Sequence, residues 1–182
     1  RMTEASPVGN RHWPYAQAKE ACEALLRDAW ERTGFPVTIV RPSHTYCDWR
    51  VPVCLHGAHG TWETVQRIID QKPVLVIGDG ESLWTFTHNT DFARAFVGVV
   101  GNLSTLGQTY HITADEVLTW NTAVETIGRV WGTTPKIVHA SAETLSRFDP
   151  AIAGQLYGDK CVCRTFDNTK IKAVTPGWTA QI

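Results

Sequence analysis

An excess of charge of either sign is missing from the 182-residue chain: 17 lysines and arginines stand against 18 aspartates and glutamates. A net charge of −1 leaves no electrostatic case for nucleic acid or an anionic membrane. Long apolar runs are missing too; none approaches the roughly 18 residues of a membrane-spanning helix. The first residues lack the charged-then-apolar order of a secretory signal. There is no internal repeat and no low-complexity segment. Methionine is scarce: Met2 is the only one, so either translation starts there or the 182 residues belong to a longer chain. A dinucleotide fingerprint is absent as well. Gly78-Asp79-Gly80 follows an expected strand, but Leu83 holds the third glycine position and Trp84-Thr85-Phe86-Thr87 does not open a helix. The motif needs strand, glycine turn and helix together, so this segment reads as a plain turn.

What remains is the composition of a soluble globular protein, 43% hydrophobic and 19% charged, long enough for one domain with a proper core. Five cysteines (Cys22, Cys47, Cys54, Cys161 and Cys163) form an odd set, with Cys22 on the expected buried face of a helix. That usage suits reduced thiols and a cytoplasmic location. Eight tryptophans, several in expected loops, fit a small-molecule pocket with aromatic walls.

The most informative stretch runs from Trp13 to Leu26. Pro14 stands near an expected first helical turn and Gly34 where a terminating residue belongs. Between them Ala18, Ala21, Cys22, Leu25, Ala29 and Trp30 keep the three-and-four spacing of an amphipathic helix. Tyr15 and Lys19, four apart, then project side by side along one border of that stripe. A phenol is a poor proton carrier at neutral pH, and a neighbouring ammonium group favours the phenolate. Such a pair is suited to general acid–base work, although Tyr-x-x-x-Lys alone is also what an ordinary surface helix carries.

After Gly34, Pro36–Arg41 is short, β-branched and apolar, the pattern of a strand buried on both faces. It stops at Pro42, with Ser43-His44-Thr45-Tyr46 at its carboxyl end, where open α/β sheets bind ligands. Residues 46–60 read as irregular, Thr61 to about Gln71 as a helix and Val74–Ile77 as a strand. Asp91–Val100 reads as a helix capped by Asp91, Gln108–Ile112 as a strand, and Thr119–Trp131 as a helix ended by Gly132. Lys136–His139 reads as a strand and Ala142–Phe148 as a short helix; the remainder is mixed. Cys47, Cys54, His56 and His59 are ligand types for zinc, but their spacing is not that of a zinc finger, so the expectation is no metal. Cys161-Val162-Cys163 alternates along a strand-like segment, pointing its thiols opposite ways and disfavouring a bridge. No local signature supports a cysteine–histidine catalytic pair.

Taken in order, Tyr15-x-x-x-Lys19, Val40-Arg41-Pro42, Gly78-Asp79-Gly80 with His88 and Asp91, Tyr110-His111-Ile112-Thr113 and Asp167-Asn168-Thr169-Lys170-Ile171 resemble the extended short-chain dehydrogenase/reductase family, in its NAD-dependent epimerase/dehydratase branch. The resemblance implies an α/β fold: the C-terminal part of a Rossmann-type doubly wound sheet plus a small substrate-binding lobe. Residues 1–45 would end the nucleotide-binding fold, and 46–182 would form the lobe with the final Rossmann elements interleaved. It makes Tyr15 the general acid/base for hydride transfer and assigns Lys19 to the nicotinamide ribose. The backbone at Pro42 and Ser43 would lie against the nicotinamide of NAD or NADP, and His44 would face a small-molecule substrate. It also implies pairing through the tyrosine-bearing helix, as a homo-oligomer or with an N-terminal half.

Two departures stand out. The glycine-rich turn, the acidic ribose ligand and the catalytic serine or threonine precede the tyrosine in that family, and only 14 residues do so here. The expectation is a truncated chain that by itself binds no cofactor tightly and turns nothing over. Sugar-nucleotide members also usually carry arginine where Trp84 stands, aspartate where Thr85 stands, and asparagine where His44 stands. An indole offers one N–H and an apolar face rather than a fork of donors, so Trp84 points to a substrate that is not a nucleotide-diphosphate sugar, unless Arg50 or Arg67 supplies the charge. Three rivals follow: a non-catalytic small-molecule binder, an oligomerising module derived from such an enzyme, and a zinc protein built on Cys47–His59.

Overall fold

The computed structural model describes residues 1–57 and 59–180. Its first element is α1, Pro14–Thr33, ended by Gly34 in the left-handed conformation that glycine adopts without a Cβ clash. The side chain that fixes its start is Asn10, whose Oδ1 accepts from the backbone N–H of Trp13 at 2.9 Å and of His12 at 3.1 Å. After Gly34 come β1, Ile39–Pro42, and β2, His44–Tyr46. β1 pairs in parallel with β6, Thr109–Ile112, whereas β2 pairs in parallel with β5, Phe86–His88. The chain therefore changes partner at Ser43. The sheet opens at that residue, and such a divide at the carboxyl ends of parallel strands is where α/β proteins take ligands.

Two cores lie on either side of the divide. The first packs Val40 of β1 and Tyr110 and Ile112 of β6 against α3 (Asn89–Val99) and α6 (Thr169–Val174), with Ala95, Val99, Ile171 and Trp178 buried between them. The second surrounds the parallel pair of β3 (Pro73–Ile77) and β8 (Lys136–Ala140). There α2 (Trp62–Ile69), α4 (Trp120–Val130) and α5 (Ala142–Phe148) contribute Val65, Ile68, Trp120, Val124, Ile127 and Leu145. A short antiparallel pair, β4 (Leu83–Trp84) with β7 (Leu118–Thr119), closes this lobe beside Trp84. These bounds follow the sequence reading to within a residue or two at most elements, because caps and periodicity are local signals.

Four expectations need correction. Most of the apolar stripe of α1 faces outward: Ala18, Ala21 and Cys22 are exposed and Leu25 is 70% exposed, while Ala29 and Trp30 at its end are half-buried. The inner face instead sets Glu23 on Arg41, at 2.8 and 2.6 Å, Arg27 on the Thr109 hydroxyl at 2.6 Å, and Trp30 over Gly107. Polar anchors together with Trp30, and not the full apolar stripe, set the face. Secondly, β1 buries only Ile39 fully, because its one strand partner is β6 and its Arg41 reaches under α1. Thirdly, α3 begins after His88, and Asp91 sits in its first turn bonded to Arg94 rather than capping it. Fourthly, Cys161–Cys163 is no strand: Cys161 ends a π-turn at Leu156–Lys160, and the Cys163 thiol accepts from the Leu83 N–H at 3.3 Å.

The Glu23–Arg41 pair carries a testable consequence. Arg41's hydrogen bonds hold the Glu23 carboxyl below its ordinary value, against an opposing pull from burial. Its stabilisation is thus complete above the ordinary glutamate range and fades as the pH falls through the lowered folded value. Glu23→Gln keeps the shape but removes the charge, and urea denaturation at neutral pH is expected to show a loss of about 1–3 kcal/mol. That difference should shrink on acidification; an unchanged midpoint at neutral pH would dismiss the pair as a contributor.

Candidate active site

A cavity of about 570 Å³ opens at the Ser43 divide, bounded by the first turn of α1, the β1–β2 junction and the π-turn at Leu156–Lys160. Tyr15 lies on its lip, 57% exposed, with its ring 4.8 Å from that of Trp13. Lys19 lies one turn on, its Nζ 5.4 Å from the centroid of the Tyr15 ring. Lys19 lines an adjoining cleft that Tyr15, Ala16 and Arg41 also border, so the phenol bridges the two spaces. Pro42, Ser43 and His44 form the opposite wall. Ser43 is held there by the buried Thr85: its hydroxyl donates to the Thr85 carbonyl at 2.8 Å and accepts from the Thr85 hydroxyl at 2.7 Å.

Behind His44 the wall is aromatic. Its ring lies edge-on to Trp84 at 6.1 Å, Phe86 at 5.5 Å and Trp120 at 5.8 Å between centroids. Trp84 is only 3% exposed, so it serves both as cavity wall and as core. Burial, reinforced by the nearby charge of Lys160, pushes the His44 imidazole well below its usual range, which leaves it neutral at physiological pH. His56, on the same cavity, is lowered by burial and then by Arg50.

The structure thus brings Tyr15, Pro42, Ser43, His44 and Trp84 to one cavity and puts Lys19 beside Tyr15. Arg67 is elsewhere, donating to the Pro73 carbonyl at 2.9 Å, whereas Arg50 does line the cavity. Among the described residues no three His, Cys, Asp or Glu side chains converge as metal ligands, and the buried Cys54 thiol points toward the Leu75 carbonyl.

Sequence reasoning missed three participants. Lys160 is 5% exposed, and its Nζ stands 3.4 Å from His44 Nδ1, 3.4 Å from Asp159 and 4.4 Å from the centroid of the Trp84 ring. Arg164 fastens the π-turn, donating to the Gly158 carbonyl at 2.6 Å and to Asp159 at 3.3 Å. Asn10 ties that turn to α1, its Nδ2 donating to the Gly158 carbonyl at 2.8 Å. The one local signal was a charged Asp159-Lys160 pair in a segment with no periodicity.

The donor set is of the kind that suits the nicotinamide end of a dinucleotide: phenol and strand-end backbone on one cavity, with the ammonium beside the phenol in the adjoining cleft. The described residues supply no glycine-rich turn at a helix N-terminus to cradle a diphosphate. Parallel strands covered by helices, with the cleft at their carboxyl ends, define a Rossmann-type α/β protein. The chain belongs to the NAD dependent epimerase/dehydratase family, whose model matches residues 1–113, as the extended short-chain dehydrogenase/reductase resemblance leads one to expect.

A dTDP-glucose 4,6-dehydratase of Neisseria meningitidis serogroup B is 31% identical over 112 residues, 61% of this chain and 29% of that protein. Among solved structures, Pal from Bacillus thuringiensis superposes on the whole chain with a TM-score of 0.76 at 18% identity, over 52% of its own length. The dTDP-glucose 4,6-dehydratase of Bacillus anthracis, solved in complex with NAD, also gives 0.76, at 20% identity and over 51% of its length. The UDP-glucose 4-epimerase of Thermotoga maritima, solved with UDP-glucose, gives 0.71 at 18% identity, over 52% of its length. The chain therefore spans about half the length of the structures it resembles. Among the described residues no helix is long and apolar enough to cross a membrane.

Proposed function

We propose that these residues form the proton-transfer and substrate-binding part of an NAD(P)-dependent oxidoreductase or epimerase. What supports the reading is the meeting of Tyr15, Ser43 and His44 on one cavity with Lys19 beside the phenol. NAD(P), when bound, supplies the hydride acceptor. Tyr15 Oη moves the proton of the substrate hydroxyl, Lys19 holds the ribose hydroxyls, and the Pro42–Ser43 backbone orients the ring. Neutral His44 and the Trp84 wall face the substrate. Trp84 in the place where arginine is usual supports a substrate other than a nucleotide-diphosphate sugar, in contrast to the names of the relatives.

The reading requires a dinucleotide-binding unit in addition to these 182 residues. The outward stripe of α1, with Leu25 at 70% exposure, supports pairing with such a unit or with a second copy. One experiment on the 182-residue chain tests this: titration with NADH by calorimetry, with the mass read by light scattering. The expected outcome is no micromolar affinity and a mass above the monomer. Micromolar binding by a strict monomer would overturn the requirement.

A further inference from the structure

Lys160 is a cation in an unusual position. Its ammonium lies 4.4 Å from the centroid of the Trp84 ring and 5.3 Å from that of Trp120, and its side chain is nearly sealed from bulk water. An ammonium has three donors, and a buried one is costly unless those donors are matched. The matches present are long. Asp159 stands at 3.4 Å and is shared with Arg164, and His44 Nδ1 stands at 3.4 Å. Beside it the Trp84 Nε1–H is buried with no acceptor among the described residues. A loosely matched ammonium and one unpartnered indole N–H thus lie together beside the cavity.

The other cations define what this cluster can hold. Arg41 is spent on Glu23, bonded by Nε and Nη2, and Arg164 is spent on Gly158 and Asp159. Neither presents an open fork of the kind a phosphate or diphosphate takes; the remaining cation on the cavity, Arg50, is exposed and not part of the buried Lys160 wall. Within that buried wall, one ammonium beside two indoles and a neutral imidazole suits a group of single negative charge. The π-turn that ends on Lys160 is itself a rare conformation, found often at functional sites.

We infer that Lys160 is a specificity-determining residue that anchors a carboxylate of the substrate, so that the cavity takes a small carboxylated polyol rather than its neutral counterpart. This rests on the reading of the cavity as the substrate site, but not on hydride transfer. The carboxylate would replace Asp159 as the near partner of Nζ and extend over the Trp84 face toward His44 and Tyr15.

The test uses the 182-residue chain without cofactor, titrated by NMR with D-glucuronate and with D-glucose. A charge-assisted hydrogen bond at a sheltered site corresponds to about tenfold or more in affinity. The wild type is therefore expected to bind glucuronate about tenfold more tightly than glucose. Lys160→Met should bring glucuronate down to the level of glucose, and Lys160→Arg should keep part of the preference. Absence of binding, equal binding of the two probes, or a preference that survives Lys160→Met overturns the assignment. Should Lys160→Met fail to fold, the wild-type preference and the ¹⁵N shift of His44 Nδ1 on adding glucuronate decide; an unmoved Nδ1 also overturns it. With no cofactor in the sample, a failure of the hydride-transfer reading leaves these results standing.

Discussion

Tyr15→Phe is expected to lower kcat by about two to four orders of magnitude, the usual share of a positioned general acid/base. The assay follows reduced nicotinamide in the enzyme form that joins these residues to a dinucleotide-binding unit. The substitution removes a single oxygen from a side chain that is 57% exposed, so no core is disturbed. The ring stays against Trp13, and the start of α1 is fixed independently by Asn10, whose side chain accepts from Trp13 and donates to Gly158. The substrate KM should therefore move little, since an interaction used only in the transition state appears in kcat and kcat/KM alike. A variant with wild-type kcat would remove Tyr15 from the chemistry. One with unchanged kcat and a raised KM would reduce it to a binding group.

The elements that the sequence revealed are those whose signals are local. Pro14 and Gly34 bracket α1, Thr119 and Gly132 bracket α4, and Ser141 introduces α5 with its side chain accepting from the Thr144 N–H. The Tyr15–Lys19 pairing is equally local, being one helical turn. Orientation is not. Which face of α1 turns inward is decided by Glu23 meeting Arg41, 18 residues on, and Arg27 meeting Thr109, 82 residues on. An apolar stripe on a helix predicts burial only when something covers it, and among the described residues Leu25 stays outside.

The cavity divides in the same way. Ser43 and His44 were readable because a strand that stops at a proline advertises its carboxyl end. Lys160 was not, because it reaches His44 across 116 residues of chain from a turn with no periodicity. Trp84 shows the limit of reading a substitution position by position. An indole where arginine is usual looks like lost charge, yet the structure sets a lysine from another segment over its ring. Charge absent from one strand is present in the same wall by a different route, without the fork.

The residue on which that wall leans is Trp120, at the first turn of α4 and fully buried. Its ring touches Trp84 at 4.7 Å, Phe86 at 5.3 Å and His44 at 5.8 Å, and its Nε1 donates to the Lys160 carbonyl at 3.2 Å. Trp120→Ala opens a cavity in the second core and frees that carbonyl, for an expected loss of about 3–5 kcal/mol. In a chain of this size that is a fall in Tm of roughly 6–20 °C. Trp120→Phe refills most of the volume but cannot donate, and should cost only about 1–2 kcal/mol. Trp49→Ala, at a 73% exposed tryptophan, should stay within about 0.5 kcal/mol of wild type and serves as the control. Because Trp120 backs both His44 and Lys160, its alanine variant should also lose the preference for glucuronate over glucose at temperatures where it remains folded. Equal thermal stability of Trp120→Ala and Trp49→Ala would mean that the lobe does not rest on this ring. The aromatic wall would then be a lining laid over a core assembled by β3, β8 and their helices alone.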